Sequence, residues 1–170
     1  MKKTAIGIFL MFILSAVLYV FYALGGFNEI EISKKNLGQI ELAGILYRGT
    51  PQNEALGKAF REMETIQKSN EGALLHTIYY VEPTGKLDTM EVFVGVEKKW
   101  ISENDYLSLN LNASQAIVAE ISANRYVMPG PNKVKKKIES FAKSNGLPIP
   151  NIFIDQIISP DAVRVIAIKK

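Results

Sequence analysis

The sequence predicts an α+β fold. A duplicated β-α-β-β unit with pseudo-two-fold symmetry would build an antiparallel sheet with two helices on one side, behind one N-terminal transmembrane helix. Three observations carry this prediction. Thr4–Leu24 is an apolar run with no charged side chain. Beyond it, strand-like stretches are interrupted by two amphipathic helical patterns. The order strand, helix, strand, turn, strand then occurs twice, with stop signals and Pro-containing final turns in matching places. Two copies are too few for a solenoid, but they suffice for a symmetric domain whose helices cover one side of a joined sheet.

The apolar run comes first. About 20 helical residues at 1.5 Å each cover the ~30 Å hydrocarbon core of a bilayer, and a helix satisfies its own backbone amides there. A cleaved signal peptide is the competing reading. Its apolar stretch is usually ~7–15 residues and ends in small residues. The longer run here, closing on Tyr19, Phe21 and Tyr22, suits an uncleaved anchor with an interfacial aromatic belt. Lys2, Lys3 and the terminal amine precede the run. Glu29 and Glu31 follow it, with Lys34 and Lys35 slightly further on. The positive-inside rule then places the N-terminus in the cytoplasm and the rest outside. Residues 1–26 are read as the anchor and 27–170 as one domain of ordinary size.

Gly25-Gly26 ends the run and reads as the start of a short linker. Gln39–Tyr47 is apolar and partly alternating, as a strand is. Thr50 as N-cap and Pro51 at the first helical position predict a helix running to about Ser69. Its apolar face is Leu56, Phe60, Met63 and Ile66, and Asn70 and Gly72 stop it. Ala73–Val81 and Met90–Val96 read as strands joined through Glu82-Pro83-Thr84-Gly85. Glu97–Asn112, with Trp100, Tyr106 and Leu109 amid Glu103, Asn104 and Asp105, reads as a long irregular connection between the halves. In the second half, Ala116–Ile121 and Arg125–Met128 are strand-like, with a bend near Ala123-Asn124. Pro129-Gly130-Pro131-Asn132 opens a helix with the face Val134, Ile138 and Phe141, closed by Ser144-Asn145-Gly146. Ile152–Ile158 and Val163–Ile168 are the last strands, joined through Ser159-Pro160-Asp161.

Composition narrows the chemistry. The net charge of +3 is mild and both signs are mixed, which gives no basis for a nucleic-acid partner. The chain has no cysteine and one histidine, His76, so thiolate sites, His-rich metal sites and disulfides are excluded. His76 reads as a structural strand residue. There is no phosphate-binding glycine loop, no metal-ligand cluster and no Ser/His/Asp set, so no cofactor and no metal are expected.

The duplicated order resembles the GyrI-like small-molecule-binding domain, which also serves as the effector-binding module of some AraC- and MerR-type regulators. The matching features are Ile121-Ser122-Ala123-Asn124-Arg125-Tyr126, then Gly130, then Phe153-Ile154-Asp155, then Pro160. In the first half they are Tyr47-Arg48-Gly49 and Ile78-Tyr79-Tyr80-Val81-Glu82-Pro83. The likeness spans about Ile30 to Lys169. It departs from the family in having Asp155 where Glu is usual, and an apolar helix where a DNA-binding module is usual. The resemblance implies a groove between the halves that holds a small organic molecule.

Asp155 is the sharpest candidate for that groove. On a strand it shares a face with Phe153 and Ile157, and a carboxylate in an apolar row must be paired, protonated or waiting for a ligand. An ordinary Lys or Arg partner is the structural alternative. Tyr79, Tyr126, Trp100 and Tyr47 offer flat walls with one polar tip, and core packing is the alternative for each. Tyr79 and its neighbour Tyr80 face opposite sides, so at most one of them lines a given cavity. Glu120 shares a face with Val118 and Ser122 and is a second acid for the same pocket, or a cross-strand ion-pair partner. Lys133, Lys135, Lys136 and Lys137 read as a solvated helix face, or as a patch for anionic headgroups. The expected partners are a small organic ligand in the groove and a bilayer through residues 4–24. The expected activity is ligand binding. The alternatives are hydrolysis of small electrophilic compounds by a pocket carboxylate, and a scaffold for a protein partner.

Overall fold

The structure, a computed structural model, describes residues 2–102 and 105–170, with side chains from Ile6 onward. Glu103, Asn104 and the side chains of Lys2 and Lys3 lie outside the described residues. Three α-helices and eight strands are described: α1 (Lys2–Ala23), β1 (Glu31–Lys35), β2 (Gln39–Gly49), α2 (Glu54–Ser69), β3 (Leu75–Val81), β4 (Met90–Glu97), β5 (Leu107–Asn112), β6 (Ala116–Ser122), α3 (Pro131–Ser144), β7 (Ile152–Ser159) and β8 (Ala162–Ile168). The strands form one antiparallel sheet in the order β1-β6-β8-β7-β3-β4-β2-β5. Read from either edge, that order gives the same sequence of roles. β2-α2-β3-β4 mirrors β6-α3-β7-β8 about an axis between β7 and β3, so the predicted duplication and fold class hold.

The edges explain the curl of the sheet. β1 pairs with β6 from Glu31 opposite Glu120 to Lys35 opposite Ala116, and β2 pairs with β5 from Gln39 opposite Asn112 to Gly44 opposite Leu107. The two ladders keep one register, stitched where Leu37 N–H donates to Ala113 C=O and Ala113 N–H to Gly38 C=O. β1, at one end of the sheet order, and β2, next to the other end, are therefore joined by three residues, and the sheet bends into a half-barrel. Gly44 and Gly95 sit opposite each other in the β2–β4 pair. A Cβ on Gly44 would collide with the Val94 carbonyl oxygen, so the strands approach too closely there for any side chain.

Burial follows the period of two. On the helix-covered face, Met63 of α2 packs on Tyr47, Leu75, Val92 and Val94, and Val134, Ile138 and Ala142 of α3 pack on Ile117, Ile121, Val165 and Ala167. The inner face of the half-barrel, which neither α2 nor α3 covers, buries Leu42, Ile78, Phe93, Val118, Ile154 and Ile166. Each such side chain contributes roughly 1.5–3 kcal/mol.

Three sequence expectations are corrected and two features are added. The N-cap of α2 is Asn53, whose side chain accepts from Ala55 N–H; Thr50-Pro51 forms a preceding turn, its Thr50 carbonyl held by the Tyr47 hydroxyl at 2.8 Å. Arg125–Met128 is a turn, because the Asn124 side chain accepts from Tyr126 N–H and its carbonyl from Val127 and Met128 N–H. The stretch read as an irregular connection contains β5, whose Leu107, Leu109 and Leu111 alternate with polar residues. β1 is a short, charged edge strand that protects the sheet from further pairing. Gly25-Gly26 ends the apolar helix as expected, and does so as a helix cap. Gly25, at φ +78, and Gly26 donate back to the Tyr22 and Phe21 carbonyls, a Schellman closure.

Candidate functional site

β3 and β7 run side by side on the pseudo-two-fold axis, with Thr77 opposite Asp155. On the helix-covered face, α2 and α3 lie to either side of this pair and leave a cleft of about 430 Å³ between them. Its floor is Thr77 and Tyr79 from β3 and Phe153, Asp155 and Ile157 from β7. Phe60 of α2 and Pro131 and Lys135 of α3 form the sides, and Glu82-Pro83 closes one end. A narrower cavity of about 150 Å³ shares Asp155 and runs under the start of α3, against Met128, Pro129 and Val134.

Among the described residues Asp155 makes no hydrogen bond or ion pair. Burial pushes its carboxyl from 3.8 up to about 6; Lys135 pulls it down and Glu82 pushes it up. Lys135 is the cation within reach, but its ammonium is committed to Glu82 and lies 5.0 Å over the Phe153 ring. Burial also raises the Tyr79 phenol, followed by the charges of Asp155 and Glu82. The cleft is thus an apolar hollow with one unmatched carboxylate and one phenol beside it.

The inner face holds a cavity of similar size, about 440 Å³, against His76, Gln156 and Arg164. Its buried polar groups, His76 and Gln156, are already matched in a chain across adjacent strands. His76 Nδ1–H donates to the Leu74 carbonyl at 2.9 Å, so its Nε2 accepts from the Gln156 amide at 2.9 Å. Gln156 Oε1 accepts from Arg164 at 3.0 Å, Arg164 Nε donates to Glu120 at 3.2 Å, and Lys35 donates to the same carboxylate at 3.0 Å. Burial holds His76 below its ordinary value, and the Lys35 hydrogen bond holds Glu120 below the usual range. A cavity whose buried polar groups satisfy one another is a weaker candidate than one with an unpaired acid.

The structure brings together two of the six residues singled out from sequence, Asp155 and Tyr79. The other four lie elsewhere. Glu120 is on the inner face with Val118, paired with Arg164 and Lys35. Tyr47 is buried under α2. Trp100 sits in a short 3₁₀ turn after β4, its indole donating to Glu97 at 3.2 Å. Tyr126 projects from the β6–α3 turn, 82% exposed, with Arg125 stacked on it. Phe60 and Lys135 were missed as cleft residues, since Phe60 reads as the packing face of its helix and Lys135 lies among four lysines; Phe153 was placed on the face of Asp155 without being singled out as a wall of the cleft. Of those four, Lys133, Lys136 and Lys137 line the outer side of α3. Among the described residues, no group of three His, Asp or Glu side chains could hold a metal.

No protein-family model matches the chain, and no curated protein matches it. Solved structures of similar fold include EcmrR bound to DNA, at TM-score 0.56 and 11% identity over 93% of this chain and 65% of that one. The C-terminal domain of EcmrR aligns at TM-score 0.53 and 11% identity over 82% and 96% of the two chains. A hydrolase from Listeria innocua aligns at TM-score 0.56 and 8% identity over 86% and 96%. At such identities the likeness is one of fold: this chain shares its α+β half-barrel with proteins described as a DNA-bound EcmrR and as a hydrolase.

Proposed function

We propose that this chain is a membrane-anchored, GyrI-like small-molecule-binding protein. The cleft between α2 and α3 holds a flat organic ligand that carries a positive charge or a hydrogen-bond donor. The observation that carries this reading is Asp155, a carboxylate set among apolar side chains with no partner among the described residues. A ligand cation there replaces lost hydration and gains a charge-assisted contact, while Phe60, Tyr79 and Phe153 supply aromatic walls. The fold shared with the EcmrR C-terminal domain supports the reading, and so does α1. Ile6–Ala23 has a mean hydropathy of 2.4 and is wholly exposed on the molecule, long and apolar enough to cross a membrane. Residues 1–26 act as the anchor and 27–170 as the ligand-binding domain, with the N-terminus cytoplasmic and the domain outside.

The test is a thermal-shift screen of the full chain in lipid nanodiscs against planar aromatic cations. A binding cation raises the melting temperature by linkage, and Asp155→Asn removes the shift. A broad panel with no stabilising compound overturns the reading. The cysteine-free chain also allows a topology test: Leu87→Cys should react with a membrane-impermeant maleimide only from outside.

A second reading is hydrolysis of small electrophilic compounds. An acid lifted to about 6 is poised to exchange protons near neutral pH, and the Listeria fold neighbour is described as a hydrolase. Turnover that Asp155→Asn abolishes supports it; no turnover across reactive ring compounds removes it.

A further inference from the structure

The end of α1 is attached to the domain at a definite place. The Leu24 carbonyl, one residue beyond the apolar span, accepts from Asn124 N–H at 2.9 Å. Asn28 Nδ2 donates to the Ser122 carbonyl at 2.6 Å. The close fit leaves Gly25 little room, since a Cβ there would lie 3.3 Å from the Ala123 backbone. Phe27 folds back on Phe21 edge to face, ring centres 4.9 Å apart. Asn124 is braced in turn by the β7–β8 hairpin, its amide donating to Asp161 at 3.1 Å. Two hydrogen bonds and a capped helix end therefore fix the β6–α3 turn at the level where the apolar helix stops.

That turn carries the side chains such a level favours. Tyr126 is 82% exposed and Phe27 60%, and the Arg125 guanidinium lies 5.4 Å from the Tyr126 ring centre. An aromatic ring with a polar tip beside an arginine suits the headgroup layer, where the ring meets the acyl boundary and the cation meets phosphate. In bulk water the same pair gains little.

We infer that Phe27, Arg125 and Tyr126 form a docking surface for the bilayer in which α1 sits, seating the domain on anionic headgroups in one fixed orientation. This rests on the reading of α1 as a membrane anchor and adds to it. The domain lies against the lipid at the β6–α3 turn, and the narrow cavity behind Asp155, walled by Met128 and Pro129, begins two residues beyond Tyr126. The β3–β4 hairpin lies at the far end. β3 and β7 are antiparallel, with Leu75 opposite Ile157, so the turn after Val81 points away from the hairpin after Ser159.

The experiment reads tryptophan depth in the full chain. Trp100 is the only tryptophan, so Trp100→Phe gives a silent background into which Tyr126→Trp, Leu87→Trp or Tyr19→Trp is placed. Each variant is reconstituted into phosphatidylcholine/phosphatidylglycerol vesicles with brominated acyl chains. Trp at 19 should be strongly quenched. Trp at 126 should lose roughly half its emission, as an interfacial ring does, and Trp at 87 should be unaffected. Quenching at 19 without quenching at 126 overturns the docking surface and leaves the anchor standing. Equal quenching at 126 and 87 overturns the fixed orientation. No quenching at 19 overturns the anchor and the docking surface together.

Discussion

Asp155 and Gln156 are adjacent in β7 and point to opposite faces of the sheet, into cavities of nearly equal size. Around Gln156 the buried polar groups have partners: His76, Gln156, Arg164, Glu120 and Lys35 form one chain across the strands. Around Asp155 the nearest cation is taken by Glu82, and the acid is left unmatched among the described residues. A closed chain of hydrogen bonds stabilises a fold and specifies its register. An unmatched buried charge destabilises the fold, and it persists where a ligand is to supply the missing partner. The two faces thus separate the polar groups that hold the protein together from the one that, on the proposed reading, meets the ligand.

The contrast is sharpest in stability. Gln156→Leu leaves the buried His76 ring nitrogen without a partner and takes one of the two partners of Arg164, which keeps Glu120, and should destabilise the chain by about 2–3 kcal/mol. Adding His76→Leu removes the orphaned group and should recover part of that loss. Urea denaturation followed at Trp100 measures both. A double variant less stable than the sum of the singles would break the idea of a self-satisfied inner face.

pH separates the faces by sign. The native state holds the Asp155 proton more tightly than the unfolded chain, so this group's contribution falls as pH rises from about 4 to about 6. His76 is held neutral by burial, so the unfolded chain binds its proton more tightly. Its contribution is full above 6.5 and is lost as pH falls below that value. Asp155→Asn should therefore stabilise the unliganded chain at pH 8 by about 1–2 kcal/mol, after allowing for partial solvent access to the carboxyl. His76→Leu should flatten the acid limb instead. Cation binding should weaken below about pH 6, as Asp155 takes up its proton. Stability curves for the two variants that move in the same direction would erase the distinction.

Much of this was legible in the sequence, and the limits are instructive. The period of two places Phe153, Asp155 and Ile157 on one face, and the duplicated order places that face between two helices. Parity also groups Val118, Glu120 and Ser122 correctly. Which face the helices cover is a tertiary fact, and it sends Glu120 to the inner side. The alternation of Leu107, Leu109 and Leu111 was readable, but the polar Glu103, Asn104, Asp105, Asn110 and Asn112 around it suggested a loop. Asn124 decides the Arg125–Met128 turn through side-chain and backbone acceptors that strand-like composition does not reveal. The least legible feature is the pairing of Lys135 with Glu82, because it joins the start of one helix to the far end of a strand in the other half.

That pair sets the smallest predicted effect and the finest test of the cleft. Lys135 draws the Asp155 carboxyl down and Glu82 drives it up. Glu82→Gln should release Lys135 to turn toward Asp155, lower the carboxyl's pKa, and weaken a bound cation by about three- to ten-fold, because the protein's own ammonium now competes. Lys135→Met should do the reverse: the carboxyl rises further, and cation binding at pH 8 strengthens because no internal cation opposes it. The ¹³C shift of the Asp155 carboxyl against pH reports the first quantity, and thermal shift with the same cation the second. The exchange of sign between the two variants is the informative result. A carboxylate tuned by this pair must respond oppositely to losing either member, whereas one held up by burial alone would respond to neither.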